Sequence, residues 1–209
     1  MNIILSTRNP SKAEQIKAVF AGMPISILTL SEANISGDAI EDGKTLKENA
    51  LKKARYAMGY AKQGGWAMAD DTGLFIHALN GEPGIESARW IGKYVSTEET
   101  MRYCLKRLDG IQDRSAYFET AVALISPKGE EYFFDGRVQG KLIEYPRVQP
   151  QKNMPYSPLF QPDVSNKTFM FFSDANADLF LQLFDANQGL LASTYSNILG
   201  GVAIETTVS

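Results

Sequence analysis

Trp66-Ala67-Met68-Ala69-Asp70-Asp71-Thr72-Gly73-Leu74 is the stretch on which the reading of this chain turns. Residues 66–69 are apolar and read as a short buried strand, running into Asp70-Asp71-Thr72-Gly73. Adjacent carboxylates at the end of a buried strand are costly unless something positive neutralises them. Successive strand residues point to opposite faces, so Asp70 and Asp71 are expected to have separate jobs. One would bind a metal or activate water, and the other would anchor the loop. Magnesium is the natural partner, a hard cation that takes one or two carboxylates together with phosphate oxygens. The plainer alternative is a polar turn that simply ends a strand.

Upstream, residues 3–5 read as a buried strand and Ser6-Thr7-Arg8-Asn9 as a turn. Asn9 is a good N-cap and Pro10 suits a first helical position. Ala13, Ile16, Val19 and Phe20 then follow at helical spacing, with Gly22 as the stop. Residues 25–30 suggest a second strand, and 31–44 a polar loop. Thr45-Leu46-Lys47-Glu48 is a capping-box pattern opening a helix to about residue 63. Leu46, Ala50, Ala54, Ala57 and Ala61 form its core stripe, while Asn49, Lys53, Tyr56 and Tyr60 form a second stripe that would face a cleft. Downstream, residues 74–79 resume an apolar run in which His77 reads as a strand residue. Residues 82–90 suggest a turn with a short helix, 97–108 an amphipathic helix, and 116–125 with 131–138 a hairpin. Residues 145–168 read as irregular, 174–185 as helix and 202–208 as strand. The βα units and the hairpin together indicate an α/β protein with a mixed sheet.

Composition narrows the chemistry. A chain of 209 residues with 44% hydrophobic and 22% charged residues is long enough for a sizeable core, which excludes collagen, coiled coil and wholesale disorder. No apolar run approaches a membrane span. The start carries no basic leader pattern, so a cytoplasmic protein is expected. One Cys (Cys104) and one His (His77) rule out an internal disulfide framework and starve any Cys/His zinc site. Any hydrolysis must therefore use carboxylates, lysines, hydroxyls and a metal. All 21 Lys and Arg lie at or before Lys167, and the net charge is −3, so no basic nucleic-acid footprint is present. Gly43-Lys44-Thr45 imitates the end of a Walker A loop, but the upstream glycine is misplaced and three nearby acids would repel phosphate.

Three sets of residues remain as candidates. Thr7 to Lys12 lie where a strand meets a helix N-terminus, a place that favours phosphate, with Lys12 adding charge; an ordinary capped helix with a solvated lysine is the alternative. Glu41 joins Asp70 and Asp71 as an acidic group. Lys53, with Asn49 on the same helix face, would reach a phosphate or neutralise the aspartates, the alternative being a solvated face.

In order along the chain these segments resemble the inosine triphosphate pyrophosphatase family, which cleaves non-standard purine nucleoside triphosphates. Ser6-Thr7-Arg8-Asn9-Pro10-Ser11-Lys12 is similar to its Thr-Gly-Asn-x-x-Lys phosphate loop, with Arg8 where glycine is usual. Residues 41–50 are similar to its acidic-loop-to-helix motif, continuing to Lys53-Ala54-Arg55. Ala69-Asp70-Asp71-Thr72-Gly73-Leu74 matches its Ala-Asp-Asp-Ser/Thr-Gly-Leu, and residues 81–90 its Gly-x-Pro-Gly-x-x-Ser-Ala-Arg segment. The likeness continues weakly to about Phe160.

The resemblance implies magnesium-dependent hydrolysis between the α and β phosphates of ITP, dITP or XTP, giving monophosphate and pyrophosphate. It implies an elongated α/β fold with two lobes around a central cleft, commonly a homodimer. It makes Asp71 the general base and, with Glu41, a metal ligand, and gives Asp70 a supporting catalytic place. Thr7, Arg8, Asn9, Lys12, Asn49, Lys53, Thr72 and Tyr156 would contact substrate. Residues 150–209 depart from the family pattern. Met154-Pro155-Tyr156-Ser157-Pro158-Leu159-Phe160 stands in place of Phe-Gly-Tyr-Asp-Pro-Ile-Phe, and the Ser-His-Arg that contacts the purine is missing. Two alternatives follow: a non-catalytic descendant that binds nucleotide or a partner, and a pyrophosphatase with a shifted base preference.

Overall fold

The computed structural model describes residues 1–92, 95–150 and 152–163. The expected helix at 174–185 and strand at 202–208 lie outside the described residues. The elements are β1 (Asn2–Leu5), α1 (Pro10–Val19), β2 (Ser26–Thr29), α2 (Leu46–Met58), β3 (Trp66–Ile76), a single 3₁₀ turn (His77–Leu79), β4 (Pro83–Gly84), α3 (Thr97–Arg107), β5 (Ser115–Ile125), β6 (Glu131–Leu142) and β7 (Phe160–Pro162). The sheet runs β2-β1-β3-β5-β6-β7, with β4 attached to β3. It is mixed: β1 lies parallel to β2 and β3, whereas β4 and β7 pair antiparallel to β3 and β6. The mixed α/β class read from the sequence is the observed one. No described helix is long and apolar enough to cross a membrane.

Two compact units divide the described chain. The first holds residues 1–71 and 120–136, and the second holds 72–119 and 137–163. In the first unit strand alternation assigns each helix its face. Ile3, Leu5 and Met68 share one side and bury Ala13, Ile16 and Phe20 of the α1 segment, together with Val122, Leu124 and Phe134. Ile4 and Ala67 share the other side and pack with Ala57 of α2, Leu30 and Ile35. In the second unit Leu74, Ile76, Met101, Cys104, Leu108, Leu142, Leu159 and Phe160 form a separate core.

Several local expectations are revised. β3 does not end at Ala69: one strand of eleven residues runs straight through Asp70-Asp71-Thr72-Gly73, so the polar-turn alternative is wrong. Gly73 permits this continuation, since a Cβ there would stand 2.6 Å from the Gly84 carbonyl oxygen of the paired β4. His77 is not in a strand but opens the 3₁₀ turn, exposed and edge-on to Tyr117. Residues 82–90 hold no helix; Pro83 and Gly84 pair with β3, and four-residue turns closed by bonds such as Glu86 to Pro83 and Ser87 to Gly84 follow. Within the supposedly irregular 145–168, Phe160–Pro162 forms a strand against β6. α2 stops at Met58 rather than residue 63, because Gly59 caps it and the chain turns there.

Cys104 is fully buried, and burial pushes its thiol up from about 9 to about 12. The folded state therefore favours the protonated thiol. The stability this contributes is complete below pH 9 and is lost as pH rises toward 12. Iodoacetamide at pH 8.5 is expected to label Cys104 only once urea unfolds the chain; rapid labelling of the native protein would contradict the packing described.

Candidate active site

The site grows out of the alternation along β3. Asp70 has the parity of Met68 and so points to the α1 side, where its Oδ2 pairs with the Lys12 ammonium. Asp71 has the parity of Ala67 and points to the α2 side. There Lys53 Nζ donates to Asp71 Oδ1 at 2.8 Å, and Asn49 Nδ2 donates to Asp71 Oδ2 at 3.2 Å. Adjacent acids thus have separate partners on separate helices, as the strand period requires. Both carboxylates are buried, and each has a lysine against it, which meets the charge-burial problem.

Glu41 enters from the segment before α2, and its Oε2 lies 3.7 Å from Lys53 Nζ. One ammonium therefore touches both Glu41 and Asp71. Burial opposes the charge on Lys53, but Asp71, Asp70 and Glu41 outweigh it and hold the lysine above its ordinary range. The segment is tied down locally. Asn49, fully buried, accepts the Gly43 amide at 2.9 Å with the same side chain that reaches Asp71. Only glycine fits at 43, since a Cβ would lie 2.6 Å from Asn49 Oδ1. Thr45 caps α2 by accepting from the Glu48 amide, while the Glu48 carboxylate takes the Lys44 amide.

The strand-to-helix turn is organised by its own cap. Asn9 Oδ1 accepts from the Ser11 and Lys12 amides at 3.1 and 3.3 Å, and Thr7 Oγ1 accepts from the Asn9 amide at 3.2 Å. Pro10 has no N–H. The backbone donors expected to greet a phosphate are therefore largely taken by the cap, and Lys12 is the nearest charged donor of α1. Arg8 is turned toward residues 31–38 and ion-paired with Asp38. Sequence reasoning gave Asp38 no positive role; its only signal was its place beside Gly37 in a polar stretch.

Two further expected contacts lie in the second unit. Thr72 is half-buried on β3, next to Asp71 in sequence. Tyr156 is buried in the core of that unit and donates its hydroxyl to the Ser87 carbonyl at 2.9 Å, so that hydroxyl is committed to the protein's own backbone. Ser87 in turn accepts from the Leu74 amide and donates to the Gly84 carbonyl. The 81–90 motif and Tyr156 thus brace one another.

Among the described residues no three acids, His or Cys converge as a ready-made metal cage. Glu41 and Asp71 share one side of β3, and Asp70 faces the other. Two hard oxygen donors on one side still suit magnesium, which completes its shell with water and substrate phosphate rather than with protein alone.

The sequence model of the Ham1 family matches residues 3–187, further along the chain than the likeness to Phe160 read from motifs. The chain is 38% identical over 170 residues to a dITP/XTP pyrophosphatase of Thermoanaerobacter pseudethanolicus, covering 80% of this chain and 83% of that protein. It is 41% identical over 175 residues to one of Elusimicrobium minutum, covering 80% and 86%. Among solved structures it is similar to the Staphylococcus aureus Ham1 protein (29% identity, TM-score 0.72, 90% of this chain and all of that one). It is likewise similar to a HAM1 protein from Coxiella burnetii (27% identity, TM-score 0.76, 91% and all). This chain belongs to the Ham1 family.

Proposed function

We propose that the chain is a nucleoside triphosphate pyrophosphatase acting on dITP, ITP and XTP, with magnesium as its metal. The carrying observation is the single Lys53 ammonium set between Asp71 and Glu41, with Asn49 fixing the other oxygen of Asp71. Buried acids held by lysines beside a helix start suit a triphosphate and its cation, and the dITP/XTP pyrophosphatases among its relatives support that substrate class.

The residues divide the work. Water attacks the α phosphorus, Asp71 accepts the proton, the bond from that phosphorus to the bridging oxygen breaks, and pyrophosphate leaves. Asn49 and Lys53 orient the Asp71 carboxylate toward that proton. Lys12 and Lys53 offset charge on the phosphate chain, and Thr7 and Asn9 line its path. Asp70 holds Lys12 in place. Glu41 and Asp71 would hold magnesium, which supplies neutralising charge on the phosphates and lowers the pKa of a bound water when present.

Pyrophosphate release measured with magnesium across ITP, dITP, XTP, ATP and GTP tests this. Turnover of the first three that stops with EDTA is expected. Stabilisation of the fold by these nucleotides with no turnover would overturn the reading and favour a binding protein. The altered residues 154–160 and the committed Tyr156 hydroxyl favour a second reading at the base end only, a shifted preference, which the same panel would show as ATP or GTP matching dITP. A cytoplasmic homodimer belongs to the same proposal, and sedimentation of the purified chain checks its dimeric part.

A further inference from the structure

We propose that Arg8 is a positioning residue: it anchors the segment that carries Glu41 to the strand-to-helix turn and does not bind the triphosphate. Its guanidinium is spent on one stretch of chain. Nε donates to Asp38 Oδ1 at 2.8 Å, Nη1 to Ser31 Oγ at 3.2 Å, and Nη2 to the Ile35 and Gly37 carbonyls at 2.9 and 2.5 Å. Four of the five N–H groups of the fork are thereby used, and Asp38 meets the charge. An arginine in that state has little left to offer a phosphate.

What it holds matters to the site. Ile35 roots the segment in the apolar cluster with Leu30, Ala57 and Ala67. Tyr56 donates to the Ser36 carbonyl at 2.6 Å, and Asn49 secures Gly43 at the far end. Glu41 lies between these anchors. An exposed ion pair alone contributes little, so the exposed Arg8–Asp38 contact is not a stability device by itself. The planar fork fixes direction: four acceptors met from one rigid group define where residues 31–38 leave the turn, and so where Glu41 arrives beside Lys53.

This rests on the pyrophosphatase reading only for what Glu41 does once placed. Hydrogen exchange of the amides of residues 36–42, read without substrate, is the primary measurement, with kcat and KM for dITP as the second. Arg8→Ala is expected to speed that exchange about tenfold or more and to lower kcat/KM by about ten- to a hundredfold. Arg8→Lys is expected to behave like Arg8→Ala, because a point charge cannot serve four acceptors. Asp38→Ala, at an exposed position that leaves the core untouched, is expected to move both readouts the same way by a smaller factor. Recovery of KM in Arg8→Lys with unchanged exchange would overturn the proposal and make Arg8 a phosphate ligand. So would tighter triphosphate binding in Asp38→Ala, through release of the guanidinium. Absence of turnover in the unaltered protein would sink the functional reading alone, since the exchange comparison still decides the anchoring.

Discussion

Asp71→Asn is expected to reduce pyrophosphate release by about a thousandfold or more while nucleotide binding persists. Asparagine keeps the shape and its single oxygen can still accept from Lys53, while its amide nitrogen faces the Asn49 donor, so the fold is expected to persist with a modest loss of stability. What it cannot do is take a proton from the attacking water, a contribution of roughly 10²- to 10⁴-fold on its own. Loss of its charge beside Glu41 also weakens the pair of oxygens offered to magnesium. Single-turnover assays with dITP, alongside nucleotide binding by calorimetry, separate chemistry from affinity. A variant that turns over within tenfold of the parent would remove Asp71 from the role of base.

Lys53→Met carries the second large effect, and it falls on stability as well as rate. Methionine fills nearly the same volume but leaves Asp71 and Glu41 without the ammonium between them. Lys53 and Asp71 are only 14% and 12% exposed in their side chains, so solvent can do little for the orphaned acid. Removing one partner of such a pair costs about 3 kcal/mol or more. For a chain of this size that is a fall in melting temperature of roughly 10 °C. Catalysis is expected to drop about a hundredfold, the scale for losing one electrostatic donor at developing charge. The double variant Lys53→Met with Asp71→Asn should recover much of the lost stability, because no buried charge is left alone. If Lys53→Met melts with the parent, or if the double variant is no better than the single, the pairing does not carry the energy assigned to it.

Much of this site was legible before any coordinates, and the reasons are local. The period of two along a strand separates Asp70 from Asp71 whatever the fold, and the period of a helix puts Asn49 and Lys53 on one face. Both rules hold because each residue concerned sits inside a regular element. The turn at Thr7 to Lys12 was legible as a cap, and Asn9 is one. What escaped the reading depends on contacts between segments distant in sequence. That β3 continues past its acids depends on β4 returning to pair with it and on Lys12 and Lys53 arriving from two helices. That Arg8 faces Asp38 depends on how residues 31–38 fold back. The strand at Phe160–Pro162 exists because β6 offers an edge, and nothing in Phe-Gln-Pro announces one. The partner of the Tyr156 hydroxyl is 69 residues away in the chain.

The placement of two neighbouring acids on opposite sides of β3 has a consequence for assembly of the sheet. β3 meets β1 in a parallel pairing, with Ile3 opposite Trp66 and Leu5 opposite Met68. A slip of one residue would turn every side chain over. Asp70 would then confront Asn49 and Lys53, Asp71 would confront Lys12, and Met68 would be driven into the space beside α2 that Ala67 now fills. Each acid would then meet the other's lysine, so charge alone would tolerate the slip, but the packing on both sides would fail. The period of two that sends the neighbouring acids to different helices thus also marks strand alignment, and misaligned chains would be rejected on shape, with Met68 forced into a space sized for alanine.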